Sequence, residues 1–211
     1  MPVTAKICGL STPETLDAAI AGGASHVGFV FFPASPRHLD PDRAAALAAR
    51  VPAHVHKVGV FVDPDEAFVT AMTGAARLDA IQLHKASPAR VAALRSTGVE
   101  TWAAIAVKTR ADLDAAHSLV GAADRILYDA KTPVGASLPG GMGVRFDWML
   151  LDGFRHPLPW ALSGGLDAGN IAEAVSRTGA RLVDVSSGVE TAPGVKSVDK
   201  IAAFLQSVAR L

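Results

Sequence analysis

The sequence predicts a single-domain (β/α)8 barrel, the TIM-barrel class, spanning residues 1–211. Three observations carry this expectation. Eight short runs rich in apolar and β-branched residues alternate with helix-like segments, which implies right-handed βαβ units and a parallel sheet. Most of these runs are apolar throughout, as strands buried on both faces are. Polar residues gather where nearly every run stops, which suits a barrel mouth better than the single crevice of an open doubly wound sheet.

The strand-like runs are, in order, "VTAKICGL", "HVGFVFF", "HKVGVFV", "AIQLH", "TWAAIAV", "RILYDA", "WALSGG" and "LVDVSSG". Helix signals lie between them. "SPARVAALRSTG" offers Ser87 as cap, Pro88 at the first helical position, Val91 and Leu94 on one face and Gly98 as stop. "DPDEAFVTAMTG" reads the same way, with Asp63 as cap, Glu66 at the capping-box position and Gly74 as stop. "STPETLDAAIAGG" and "LDPDRAAALAAR" follow this pattern. "DAGNIAEAVSRTG" places Ile171, Ala174, Val175 and Thr178 on one side, and "SVDKIAAFLQSVAR" reads as the last helix. The stretch 131–160 is rich in Gly and Pro, with at most a short helix around Phe146–Leu150. A loop of that length in a compact domain is usually functional, and its composition permits 131–145 to act as a lid.

Composition narrows the function. Apolar residues make up 50% of the chain and charged residues 19%, with 20 basic and 20 acidic side chains in balance. That suits a sizeable core and argues against nucleic acid or a membrane surface as partner. Cys8 is the only cysteine, so no intrachain disulfide forms, which fits a reducing compartment. No basic N-terminal region leads into an apolar one, and no apolar run approaches the ~20 residues needed to span a bilayer. The expectation is a cytoplasmic protein acting on a small molecule.

A barrel of this class does its chemistry at the C-terminal strand ends. Strand 1 ends Lys6-Ile7-Cys8-Gly9, and strand alternation puts Lys6 and Cys8 on one face with Ile7 on the other. Cys8 then faces the mouth. It reads either as a small buried apolar residue or as a thiol whose ionisation Lys6 assists, with Gly9 leaving room for a ligand. After strand 2, the stiff turn Ser35-Pro36-Arg37 carries a guanidinium suited to a bidentate contact with a carboxylate or phosphate. Strand 4 ends with Gln82 and His84 on one face, where His84 can orient a substrate or move a proton. His54 and His56 fall at the wrong end of the barrel, and no set of side chains converges as zinc ligands do, so no metal is expected. Asp129 ends strand 6 after an apolar lead-in; partial burial would raise its pKa and suit a general acid. Gly140, Gly141, Gly143, then Ser163, Gly164, Gly165, then Ser186, Ser187, Gly188 follow strands 6, 7 and 8. Glycines let backbone N–H groups approach an anion closely, so three such loops point to a phosphorylated ligand.

These motifs form a combination. "KICGL", "GFVFFPASPRHL", "VGVFV", "IQLH", "LYDAK", "PGGMGVRFDW", "LSGGL" with Asn170, and "VDVSSGVETAPGVK" resemble the phosphoribosylanthranilate isomerases of tryptophan biosynthesis, in family order from residue 6 to about residue 200. The resemblance implies an Amadori rearrangement of N-(5'-phosphoribosyl)anthranilate without metal or organic cofactor. It implies Cys8 as general base, Asp129 as general acid and Arg37 on the anthranilate carboxylate. The backbone of Gly141, Gly143, Gly164, Gly165, Ser186, Ser187 and Gly188 would bind phosphate. Gln82, His84 and Asp184 are further substrate-binding candidates. The family includes monomers and homodimers. Three positions depart from its usual pattern: Lys85 in place of glycine, Ser163 of alanine and Ser197 of aspartate. A related barrel acting on a histidine-pathway phosphoribosyl compound would end strand 1 in aspartate. A non-catalytic barrel that binds a phosphorylated metabolite would need no Cys8–Asp129 combination.

Overall fold

The computed structural model describes residues 2–132 and 140–211. Eight parallel strands close into a barrel in sequence order. They are β1 (Thr4–Cys8), β2 (His26–Phe31), β3 (His56–Val62), β4 (Ala80–His84), β5 (Glu100–Val107), β6 (Arg125–Ala130), β7 (Trp160–Leu162) and β8 (Leu182–Val185). Each falls within or largely overlaps one of the eight apolar runs. The helices α1 (Pro13–Ala21), α2 (Pro41–Ala48), α3 (Glu66–Ala76), α4 (Pro88–Leu94), α5 (Ile171–Thr178) and α6 (Val198–Val208) surround it. Between β5 and β6 a 3₁₀ helix, Arg110–Leu119, takes the helical place. A small antiparallel hairpin, β9 (Glu190–Ala192) and β10 (Val195–Lys196), follows β8.

The helix starts have local causes. Thr12, Asp40, Ser87 and Ser197 each accept a hydrogen bond from the backbone N–H three residues on, and Pro13, Pro41 and Pro88 take first-turn positions. The third helix differs from expectation. Its cap is Asp65, which accepts from the Phe68 N–H at 2.7 Å, and not Asp63. Asp63 sits just past the end of β3: its φ is 42° and its N–H donates to the His84 carbonyl. Nor does Gly74 stop the helix. The helix runs on to Ala76 and ends on Arg77 in a left-handed conformation. A mid-helix glycine costs only ~1 kcal/mol, which the packing of Val69, Met72 and Ala76 outweighs. The expected helix near Phe146–Leu150 is one 3₁₀ turn, Trp148–Leu151, capped by Asp147. Residues 133–139, the centre of the suggested lid, lie outside the described residues. No helix among the described residues is long and apolar enough to cross a membrane.

The core divides by strand alternation. Outward residues such as Ile7, Val27, Phe29, Ile81, Ile126 and Val183 pack under the helices. Inside the barrel, Val58, Ala80, Trp102, Leu127, Ala161 and Leu182 form a dry layer. Cys8, Val30 and Val60 form a second apolar cluster, with Phe32 packed on it. At the N-terminal end His56 stacks on its register partner His26 with ring centroids 5.0 Å apart. Burial pushes His26 down to about 3, so it packs there as a neutral ring.

Candidate active site

A cavity opens where the strands end, lined by Cys8, Arg37, Gln82, His84, Asp129, Asp184 and the three glycine-bearing loops. The closed barrel brings residues from β1 through β8 to one mouth, as alternation along each strand requires.

Cys8 is 7% exposed and faces the cavity, while Ile7 is buried on the opposite side. Gly28 makes room for it: a Cβ there would lie 3.1 Å from Cys8 Sγ and 3.2 Å from Lys6 Cε. Lys6 is fully buried, yet its charge is not reserved for the thiol. Its Nζ donates to Asp184 Oδ1 at 2.8 Å, because Lys6 and Asp184 are register partners of β1 and β8. Ser163 Oγ donates to the other Asp184 oxygen at 3.2 Å. Burial pushes the Cys8 thiol up; Lys6 and Lys196 pull it down but do not overcome burial and Asp184. Burial alone would lower Lys6, but Asp184 and Cys8 hold it above its ordinary value. Removing one partner of a buried ion pair typically costs ~3–5 kcal/mol. Lys6→Met is therefore expected to lower stability by about that much, read from urea unfolding at pH 7. A loss below ~1 kcal/mol would show that water, and not Lys6, balances Asp184.

Asp129 is 8% exposed. Two glycines allow this burial. A Cβ on Gly140 would lie 2.5 Å from Asp129 Oδ2, and one on Gly164 would lie 3.3 Å from Oδ1. The Ala130 N–H donates to Oδ1 at 2.8 Å. Burial first, and the Asp184 charge second, push the carboxyl up to about 7. Asp129 thus holds a proton through much of the neutral range.

Arg37 is buried, and its fork is already occupied. Nε donates to Glu190 Oε1 and Nη2 to Glu190 Oε2, both at 2.7 Å. Nη2 also donates to the Gly141 carbonyl at 2.9 Å. The bidentate contact expected for a ligand is made inside the protein, which leaves Nη1 beside Gly141. The room at Gly9 likewise goes to Arg37 and not to a ligand: a Cβ there would lie 2.6 Å from Arg37 Cδ.

Gln82 Nε2 and His84 Nε2 lie 2.8 Å apart. Burial pushes His84 down to about 4, so its ring is neutral at pH 7. Gln82 Oε1 is buried without a partner among the described residues.

Gly141, Gly143, Gly164 and Gly165 all have positive φ, between 64° and 91°. A Cβ on Gly143 would lie 3.7 Å from Ser187 Oγ, so the loops after β6 and β8 meet. Ser186 and Ser187 line the cavity. Gly188 supports from behind: a Cβ there would strike the Leu166 carbonyl oxygen at 1.9 Å. Asn170 ties the β7 loop to α5, donating to the Gly165 carbonyl at 2.9 Å. At the strand 4 exit Lys85 adopts a left-handed conformation, φ 57°, which glycine takes without strain.

Sequence reasoning missed Glu190 and Lys196 as parts of the site. The available signal was two opposite charges bracketing the turn "TAPG", which a hairpin brings together. Among the described residues no group of three or more His, Cys, Asp or Glu side chains is placed to hold a metal.

The family model described as N-(5'phosphoribosyl)anthranilate (PRA) isomerase matches residues 5–207. The N-(5'-phosphoribosyl)anthranilate isomerase of Zymomonas mobilis subsp. pomaceae is 56% identical over 211 residues, covering 99% of each chain. That of Rhodospirillum centenum is 54% identical over 214 residues, covering 100% of each. The phosphoribosyl anthranilate isomerase of Thermotoga maritima superposes with a TM-score of 0.87 at 32% identity, over 99% of this chain and 100% of that one. Another such isomerase, solved with reduced 1-(o-carboxyphenylamino)-1-deoxyribulose 5-phosphate, gives a TM-score of 0.84 at 29% identity, over 99% and 100%.

Proposed function

The chain belongs to the N-(5'-phosphoribosyl)anthranilate isomerase family and is an isomerase of that phosphoribosyl substrate, and we propose that it works with Asp129 as general acid and Cys8 as general base. The reaction is the Amadori rearrangement of tryptophan biosynthesis, giving 1-(2-carboxyphenylamino)-1-deoxyribulose 5-phosphate. One observation carries the assignment: a buried carboxyl raised to about 7 shares the mouth with the chain's only thiol.

Asp129 gives its proton to the ribose ring oxygen as the C1'–O bond breaks. The aniline nitrogen supplies the electron pair, and an open-chain iminium results. The C2' proton becomes acidic because the iminium can accept the C–H electrons. The Cys8 thiolate removes that proton, leaving an enolamine that tautomerises to the ketone. Burial makes the thiolate a minority form in the resting site. The iminium, which exists only after ring opening, places a positive charge in the same pocket and acts against that burial. Each proton-transfer group contributes ~10²–10⁴-fold.

The rest of the mouth binds. Arg37 Nη1 faces the anthranilate carboxylate, Gln82 and His84 take substrate hydroxyls, and the loops after β6, β7 and β8 hold the phosphate on backbone N–H groups. Gly188 acts there by shaping the turn. Asp184 serves by holding Lys6 and, through its charge, by keeping Asp129 protonated.

The test is loss of anthranilate fluorescence as phosphoribosylanthranilate is consumed by the purified chain. Turnover is expected, with inorganic phosphate competing against substrate. Absence of turnover would overturn the reading, and insensitivity to phosphate would remove the loop assignment. A Thermotoga maritima isomerase is described as dimeric; this chain is expected as monomer or homodimer.

A further inference from the structure

Arg37 is held from behind by a second buried cation. Glu190 Oε1 accepts from Arg37 Nε and also from Lys196 Nζ, both at 2.7 Å. Glu190 Oε2 accepts from Arg37 Nη2 at 2.7 Å and from the Gly194 N–H at 3.2 Å. Lys196 Nζ reaches further, donating to the Ser186 carbonyl at 2.9 Å and to Ser186 Oγ at 3.2 Å. The three charged side chains are almost wholly buried, at 5%, 4% and 1% exposure for Arg37, Glu190 and Lys196.

Two features follow. The cluster holds two cations on one carboxylate, so it carries one surplus positive charge at the mouth, where a buried charge costs least with an anion beside it. Its geometry also fixes the exposed edge. Nε and Nη2 face Glu190 and the Gly141 carbonyl, and no acceptor meets Nη1 among the described residues. Gly194 lets the hairpin come close enough to do this. A Cβ on Gly194, in the hairpin turn, would lie 2.8 Å from the Pro36 carbonyl oxygen. The β9–β10 turn therefore packs directly beneath the turn that carries Arg37.

We infer that Glu190 and Lys196 are positioning residues: Glu190 clamps Arg37 so that only Nη1 is offered to the ring carboxylate of the substrate, and Lys196 ties that clamp to the phosphate loop at Ser186. Glu190 thus sets selectivity for a carboxylated aromatic amine, and Lys196 sets the spacing between the carboxylate contact and the phosphate contact. The inference rests on the reading of Arg37 as the carboxylate contact. A guanidinium already held in place loses little rotamer freedom on binding, so its contact is stronger than that of a free arginine.

The experiment compares two stable ligands: the reduced product, and the same compound lacking the ring carboxylate. Affinities are measured by calorimetry for wild type, Arg37→Ala, Glu190→Gln and Glu190→Gln/Lys196→Met. The double variant keeps the wild-type net charge of the cluster, so it retains a test if Glu190→Gln alone fails to fold. Wild type is expected to prefer the carboxylated ligand, and Arg37→Ala to lose that preference. Glu190→Gln is expected to bind the carboxylated ligand at least about tenfold more weakly, with less than about threefold change for the other ligand; the double variant, which also loses the Lys196 tie to the phosphate loop, is expected to weaken both ligands, the carboxylated one at least about threefold more. In steady state their KM rises more than kcat falls. Lys196→Met, unlike Glu190→Gln, is expected to weaken competitive inhibition by inorganic phosphate. Equal weakening of both ligands, or weakening of neither, would overturn the clamp. Unchanged phosphate inhibition in Lys196→Met would overturn the tie to Ser186. If Arg37→Ala keeps the carboxylate preference, the underlying reading of Arg37 fails instead, and the clamp with it.

Discussion

Replacing Asp129 with asparagine is expected to lower kcat by about 10²–10⁴-fold. The carboxamide keeps the shape that fits between Gly140 and Gly164 but has no acidic proton to give the ring oxygen. The pH profile supplies a second readout. Activity requires Asp129 protonated and Cys8 ionised. Below about 7 Asp129 keeps its proton, and the thiolate fraction grows with pH, so kcat/KM rises. Above about 7 loss of the Asp129 proton cancels that growth, and the profile flattens until the thiol itself titrates. In Asp129→Asn the break near 7 disappears. Stability moves the other way. The carboxyl titrates near 3.8 when unfolded and at about 7 when folded, so the folded state binds the proton more tightly. Stability is lost as pH rises through that window and does not return above it. Asp129→Asn escapes this loss, and at pH 8 it is expected to need more urea to unfold than wild type. A variant that keeps kcat within tenfold, or keeps the break near 7, would remove Asp129 from the acid role.

Cys8→Ser is expected to lose at least ~100-fold in kcat with the fold retained. The exchange changes one atom in a position that Gly28 leaves just wide enough. A serine hydroxyl ionises far less readily than a thiol, so it cannot take the C2' proton at neutral pH. Burial already disfavours the charged form at this position, which makes the exchange more damaging than it would be in water. The discriminating measurement is release of deuterium from substrate labelled at C2', the hydrogen that Cys8 removes: it should slow in parallel with turnover. A Cys8→Ser enzyme of near wild-type kcat would show that another group is the base.

Much of the fold was legible in the sequence because its causes are local. Each apolar run became a strand, and Thr12, Asp40, Ser87 and Ser197 started helices, three of them with a following proline, since caps act through hydrogen bonds three residues away. The misreading at α3 shows the limit of that logic. Asp63 and Asp65 are equally good caps by type; the His84 carbonyl, from the next strand, claimed the backbone of Asp63.

The sequence by itself determined which residues face the mouth. Period-2 alternation put Lys6 with Cys8, Gln82 with His84, and Asp129 on the inner face, and the glycines marked the loops above them. Only the tertiary structure decided how those groups are paired. Barrel closure sets β1 beside β8 and gives Lys6 to Asp184; the hairpin after β8 turns the fork of Arg37 onto Glu190. Burial that raises Asp129 to about 7 depends on the loops after β6 and β7. Charge pairing and desolvation act through space, between segments up to 178 positions apart in the chain, and neither has a period or spacing that a single strand of sequence can display.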